Sequence, residues 1–285
     1  MSYKDILLQA DPTEDGKSRL AVAVALAKQF EAHLIGIFLR RPPRALALGM
    51  EESMFVGPAQ VEGFAERLEH AWQAEADEAE TLFRAALDKE GLAGEWRAPE
   101  GSPAETLALH ARYADLLVMG QVNPDHPERS GDKHLADHVL LASGRPVLII
   151  PYAGHFEQVG RNVVVAWNGS REATRAVHDA LPILTKADSV TVLSVNPEKG
   201  VAGDGALPAA DLAMHLARHG IKVNATHTTV EEISVADELL NRAFDLGADL
   251  IVSGGYGHSR LREVVLSGVT RALLQHMTIP VLMSH

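Results

Sequence analysis

The chain of 285 residues contains no cysteine, which removes disulfides, thiolate metal sites and cysteine nucleophiles from consideration. Long apolar runs are missing as well. None approaches the roughly 20 residues needed to cross a bilayer, and no basic start followed by an apolar core marks a leader. A cytoplasmic location is the expectation. Excess positive charge is also lacking: 26 Lys+Arg stand against 38 Asp+Glu, a formal net charge of −12. A general nucleic-acid binder needs a basic footprint that this chain does not have. No Gly-x-Ser-x-Gly elbow marks a hydrolase. What remains is a globular balance, 46% hydrophobic and 22% charged, with length for one large domain or two of ordinary size.

What is present is written twice. KDILLQADPTEDGKSRLAVAVALA, from Lys4, aligns with RNVVVAWNGSREATRAVHDALPIL, from Arg161, at an offset of 157. HLIGIFL aligns with SVTVLSV at 156, and both YADLLVMG with GADLIVSG and RPVLII with IPVLMS at 134. Four blocks in constant order establish an internal repeat. The change of offset places the extra length of the first half in RRPPRALALGMEESMFVGPAQ and the helix after it.

Each half alternates strand and helix. In the second, short Val/Ile/Leu-rich runs predict strands near 162–167, 189–195, 222–228, 249–253 and 280–284, covered on both faces as in a parallel sheet. Helices are expected near 170–185, 206–219, 234–246 and 260–276. In the first half, Val61, Phe64, Leu68, Trp72, Ala76, Ala79, Phe83 and Leu87 form one stripe at helical spacing after Pro58. The fold class is therefore α/β: two tandem doubly wound domains, 1–152 and 160–285, each a five-stranded parallel sheet flanked by helices.

Ligands bind such sheets beyond the carboxyl ends of the strands, where strand order reverses. The loops after the first strands read ADPTED and WNGSRE, and those after the fourth GQVNPD and GGYGHS. In GGYGHSRLREVVLSGVT, residues 254–270, a strand runs into a glycine turn and a helix, an arrangement that offers free backbone N–H groups to a phosphate. Arg260 and Arg262 outnumber Glu263 there.

Over essentially its whole length the chain resembles the universal stress protein family. The resemblance rests on the tandem copies, the polar residue closing the first strand, and Gly254-x-x-Gly257 followed after nine residues by a small-residue turn. That turn reads Ser267-Gly268 in place of the family's Gly-Ser or Gly-Thr, with Val269 and Thr270 continuing it. The resemblance implies binding of ATP, with or without Mg²⁺, by the second half. Asn168 and Val195 would lie near adenine and ribose, and Gly254, Gly257, Ser267, Gly268, Val269 and Thr270 near the phosphates, with Arg260 as an outer charge. It also implies that LIIP and VLMS pair across the halves as a pseudo-dimer. A protein partner and a homodimer are further implied possibilities, and the physiological role would be a stress-response regulatory or protective module.

The first half departs from the pattern. Asn123 stands where the second has Gly257, and Lys133 and His134 replace Ser267 and Gly268, so these side chains are expected to obstruct a phosphate cradle. It keeps Asp11, where the second half has Asn168. Two other functions stay open: a family member that has lost nucleotide binding and acts through protein contacts or another ligand, and a slow ATPase, for which no general base stands out.

Other residues invite plainer readings. His134/His138, with Asp137 beside them, and His215/His219 have metal-compatible i, i+4 spacing. A site needs a third ligand and a second shell, and neither pair shows the HExxH pattern, so a structural or surface role is expected. Thr13 and Ser170 read as helix N-caps, and Trp167 as an aromatic packed on a neighbouring helix. The 40–59 segment, with Arg40, Arg41 and Arg44, reads as a lid or a partner contact.

Overall fold

The computed structural model describes residues 2–40, 58–124, 133–156, 158–197, 209–257 and 268–285. The first half comprises β1 (Asp5–Ala10), α1 (Glu14–Phe30), β2 (His33–Phe38), α2 (Pro58–Glu90), β3 (Gly94–Arg97), α3 (Pro103–Ala111), β4 (Leu116–Gly120), α4 (Leu135–Ser143) and β5 (Val147–Ile150). The second repeats the order with β6 (Asn162–Ala166), α5 (Arg171–Leu184), β7 (Ser189–Val195), α6 (Ala210–Arg218), β8 (Val223–Thr228), α7 (Val235–Asp245), β9 (Leu250–Gly254), α8 (Gly268–His276) and β10 (Val281–Ser284). The second-half strands fall within a residue or two of the sequence expectation. The expected helix 260–276 is described only from Gly268 onward, and most of the 40–59 segment lies outside the described residues.

All ten strands form one sheet, in the order β3-β2-β1-β4-β5-β10-β9-β6-β7-β8. Within each half the pairing is parallel, and the chain order reverses between β1 and β4 and between β6 and β9. The two halves join through β5 and β10, which pair antiparallel with Leu282 opposite Leu148. The expected pairing of LIIP with VLMS is therefore present. It makes the strand edges at the seam part of one continuous ladder.

The strands are apolar on both faces because both are covered. One face, carrying Leu8, Leu34, Val118, Val165 and Val192, packs against α1, α2, α5 and α6. The other, carrying Leu7, Ile35, Leu117, Ile149, Val164 and Leu193, packs against α3, α4, α7 and α8. Along α2, Ala76, Ala79, Phe83 and Leu87 are buried, while Glu75, Asp77 and Glu78 are exposed. From Ala76 onward the stripe read from the sequence is thus the buried one, with its acidic side solvated; Trp72 is half-buried, and the side chains of Val61, Phe64 and Leu68 lie outside the described residues.

The helix starts that matter here are fixed by hydroxyl caps. Thr13 Oγ1 accepts the Gly16 amide at 3.0 Å and Ser170 Oγ accepts the Ala173 amide at 3.1 Å, each satisfying one of the N–H groups a helix start leaves unpaired. Trp167, half-buried, packs against the buried cluster on that face of the sheet. The expected cap readings hold.

Candidate functional site

Two crevices lie beyond the carboxyl ends of the strands, one per half, and they are built differently. In the second, β9 delivers Gly254 to the start of α5. A Cβ on Gly254 would overlap the Ala173 amide nitrogen and come within 2.6 Å of the Glu172 carbonyl carbon. Glycine is required there because helix and strand backbones meet directly. Gly255 is pressed against Leu140 of the first half, whose side chain would lie 2.5 Å from a Cβ at this position. Its amide donates to the Ser284 carbonyl at 2.9 Å. Gly257 faces Ser170 and Glu172, with Glu172 Oε2 only 2.8 Å from where its Cβ would sit.

The left-handed residue in this turn is Tyr256, with φ of +55°, not one of the glycines that flank it. Two bonds hold the conformation. The Tyr256 amide donates to Thr270 Oγ1 at 3.2 Å, and its hydroxyl donates to Asp137 of α4 in the first half. Burial, followed by that hydrogen bond and the charge of Asp137, pushes the phenol far above its ordinary pKa. Asp137 in turn meets His134 Nδ1 at 3.0 Å. The turn after β9 is thus braced against α8 on one side and against the first half on the other. The mirror contact also exists: Gln121, buried at the end of β4, donates to the carbonyls of Leu274 and Gln275 at 3.0 and 3.1 Å.

Of the residues expected at this site, Gly254 and Gly257 lie at the start of α5, and Thr270, in the described part of α8, is bonded to the Tyr256 between them. Thr270 is buried and its hydroxyl is engaged by Tyr256, while Val269 packs against the core. Gly268 is the first described residue of α8; among the described residues no atom lies within 4 Å of a Cβ position there, and its φ is not positive. Asn168 is exposed and its Oδ1 accepts the Ser170 amide at 3.1 Å, and Val195 closes β7, half-buried. Ser267, Arg260 and Arg262 lie outside the described residues.

The first-half crevice is filled, although not by the side chains the sequence points to. Lys133 and His134 are both exposed. The occupant is Arg19, whose side chain is 6% exposed and forms an ion pair with Asp11, itself 12% exposed. Arg19 Nε donates to the Gln9 carbonyl at 3.0 Å, and Gln9 Oε1 accepts the Gly120 amide at 3.1 Å. A Cβ on Gly120 would overlap Arg19 Nη1. The guanidinium therefore lies over Gly120, where β1 and β4 part. In the second half the positions of Gln9, Asp11 and Arg19 carry Ala166, Asn168 and Ala176, so those positions cannot form the same plug. Asn123 Nδ2 donates to Asp15 at 3.2 Å, across the position that Gly257 and Glu172 hold in the second half.

A signal for Arg19 exists in the sequence. It lies three and four residues before Val22 and Ala23 on the face of α1 that buries Leu26, Ala27 and Phe30, and the repeat sets it against an alanine. Among the described residues no group of three or more His, Asp or Glu is arranged to hold a metal ion. No helix among them is long and apolar enough to cross a membrane.

A tandem of doubly wound sheets with glycine turns at both reversals of strand order defines a class of α/β proteins whose ligand crevices lie at the strand ends. Within that class, the chain belongs to the universal stress protein family: the family's model matches residues 2–151 and again 160–285. Among solved structures, it is similar in fold to a universal stress protein from Archaeoglobus fulgidus DSM 4304, at 17% identity and a TM-score of 0.68 over 98% of this chain and 95% of that one. It is also similar to a putative universal stress protein from Pseudomonas aeruginosa UCBPP-PA14, at 14% identity and a TM-score of 0.57 over 99% and 93%. No curated protein matches it in sequence.

Proposed function

We propose that this universal stress protein binds an adenine nucleotide, ATP with Mg²⁺, in the second half alone, and serves as a cytoplasmic regulatory or protective module in a stress response. The observation that supports this reading is the difference between the crevices. At the second, Gly254 and Gly257 run against the capped start of α5, and the plug position is Ala176. The first amides of α5 stand beside the turn, and helix starts favour phosphate oxygens. Asn168, Val195 and the Ser267–Thr270 segment are the residues assigned to the nucleotide.

One observation favours a second reading, in which nucleotide binding has been lost and the module works through protein contacts. The Glu172 carboxylate stands beside Gly257, and a like charge near a phosphate costs on the order of 1–4 kcal/mol at contact distance, depending on solvation. Mg²⁺ arriving with ATP would offset that charge.

Calorimetric titration with ATP and Mg²⁺ tests the first reading. Saturable binding that disappears in Gly257→Val is the expected result, because the added side chain meets Glu172 and Ser170. Heat silence at about millimolar nucleotide, where only about 4 kcal/mol of binding energy is needed, favours the second.

A further inference from the structure

The halves treat one pair of equivalent positions in opposite ways, at the strand ends remote from the glycine crevices. Position 3 corresponds to 160 by the same offset that aligns Lys4 with Arg161. Tyr3 is 4% exposed and packs edge-on against Phe30, with ring centroids 5.1 Å apart. It crosses the seam between the halves, and its hydroxyl donates to the Asp179 carbonyl at 2.7 Å. On the other side of the pseudo-twofold, Gly160 stands for Tyr3, Ala187 for Phe30 and Val22 for Asp179. Two aromatic rings are missing from that side.

A cleft of about 440 Å³ lies there, lined by Val22, Ala25 and Gly160 and edged by Lys28, Arg161, Lys186 and Asp188. This is within the range of small-molecule pockets, about 300–1,000 Å³. The chain cannot fill it from position 160. Gly160 holds φ at +91°, and a Cβ there would overlap Ile183 Cγ2. Two of the three cations are matched: Lys28 with Glu90 at 2.6 Å and Arg161 with Asp188 at 3.0 Å. Lys186 meets neutral groups, the Gln29 carbonyl at 2.9 Å and the face of Phe30 at 5.2 Å. An ammonium without a carboxylate partner among the described residues thus borders a cleft whose wall includes Val22, Ala25, Leu26 and Val159.

We propose that this cleft binds a small aromatic anion, an aryl ring carrying a carboxylate. The ring occupies the volume between Gly160 and Val22 that Tyr3 spans on the opposite side, against Val22 and Ala25, and the carboxylate pairs with Lys186. The internal repeat itself supplies the template for the ring, and the rim supplies the charge. The site is independent of the glycine crevice and of what that crevice binds.

The test uses the full chain and phenylacetate as probe, followed by saturation-transfer NMR and calorimetry, with acetate and benzyl alcohol as controls that lack the ring or the charge. Phenylacetate is expected to bind saturably in about the millimolar range. Ala25→Trp, at a half-buried position on the cleft wall, abolishes this binding, and Lys186→Glu, at an exposed position that leaves the fold intact, weakens it at least about tenfold. Failure to saturate by about 20 mM, equal binding by Lys186→Glu, or equally tight binding of either control overturns the proposal.

Discussion

Arg19→Ala is the substitution that separates a plug from a surface ion pair. Its side chain is 6% exposed and that of its partner Asp11 12%, so removing the guanidinium leaves a carboxylate with little access to water. Breaking a buried pair from one side costs about 3–5 kcal/mol. Asp11 keeps a hydrogen bond from the Thr13 amide at 3.1 Å and one from its hydroxyl, which places the expected loss near the lower end, about 3 kcal/mol. At about 2–4 °C per kcal/mol for a unit of 150–250 residues, the melting temperature should fall by about 6–12 °C. Asp11→Asn together with Arg19→Ala copies the second half, which carries Asn168 and Ala176. The double variant should regain most of that stability, because the buried carboxylate charge is removed together with the guanidinium. Urea unfolding followed by far-UV circular dichroism measures both. A loss below about 1 kcal/mol for Arg19→Ala, the scale of a solvated pair, would refute the reasoning. So would a double variant that loses the sum of the two single losses.

Two further outcomes are expected. Gly254→Ala should cost about 1–3 kcal/mol, because its Cβ collides with the backbone of α5 and no side chain can yield. Gly268→Ala, with open space around it, should stay within about 0.5 kcal/mol; thermal melts of the pair showing equal losses would contradict the close approach at Gly254. His215 lies 5.7 Å from His178 and 4.9 Å from His219, ring centre to ring centre. Burial first, then His219, His178 and Arg218, hold its pKa below the ordinary imidazole value. The unfolded chain therefore takes up this proton first, so the contribution is present above about pH 6.5 and is lost as pH falls below it. The urea midpoint should drop more between about pH 7.5 and 5.5 in the parent than in His215→Asn, and equal drops would remove the assignment.

The repeat and the strand positions were legible because a parallel sheet buried on both faces leaves continuous Val/Ile/Leu runs, and duplication shows each run twice. The seam pairing followed from the family resemblance. The filling of the first crevice was only half legible. Lys133 and His134 occupy the right places in the alignment, but their flexible side chains reach solvent, and the space is taken from the opposite wall by Arg19. An arginine on a helix reads as surface until the burial of its neighbours at i+3, i+4 and i+7 is weighed. The turn after β9 hid a second feature. Three glycines in four positions point to glycine for the positive φ, whereas it falls on Tyr256, held by the Thr270 hydroxyl and by Asp137 of the other half. A bond formed across more than a hundred residues leaves no local trace in sequence.

The antiparallel join of β5 to β10 has a consequence for how this molecule behaves on dilution. Two separate chains meeting edge to edge would part as their concentration fell. Here a short tether keeps the second edge at an effective concentration on the order of millimolar, whatever the amount of protein present. Association becomes a first-order event, and each copy is guaranteed one mate that is never its twin. Under that guarantee one crevice could be sealed with an arginine that the other lacks, because the two surfaces no longer had to be encoded by the same residues.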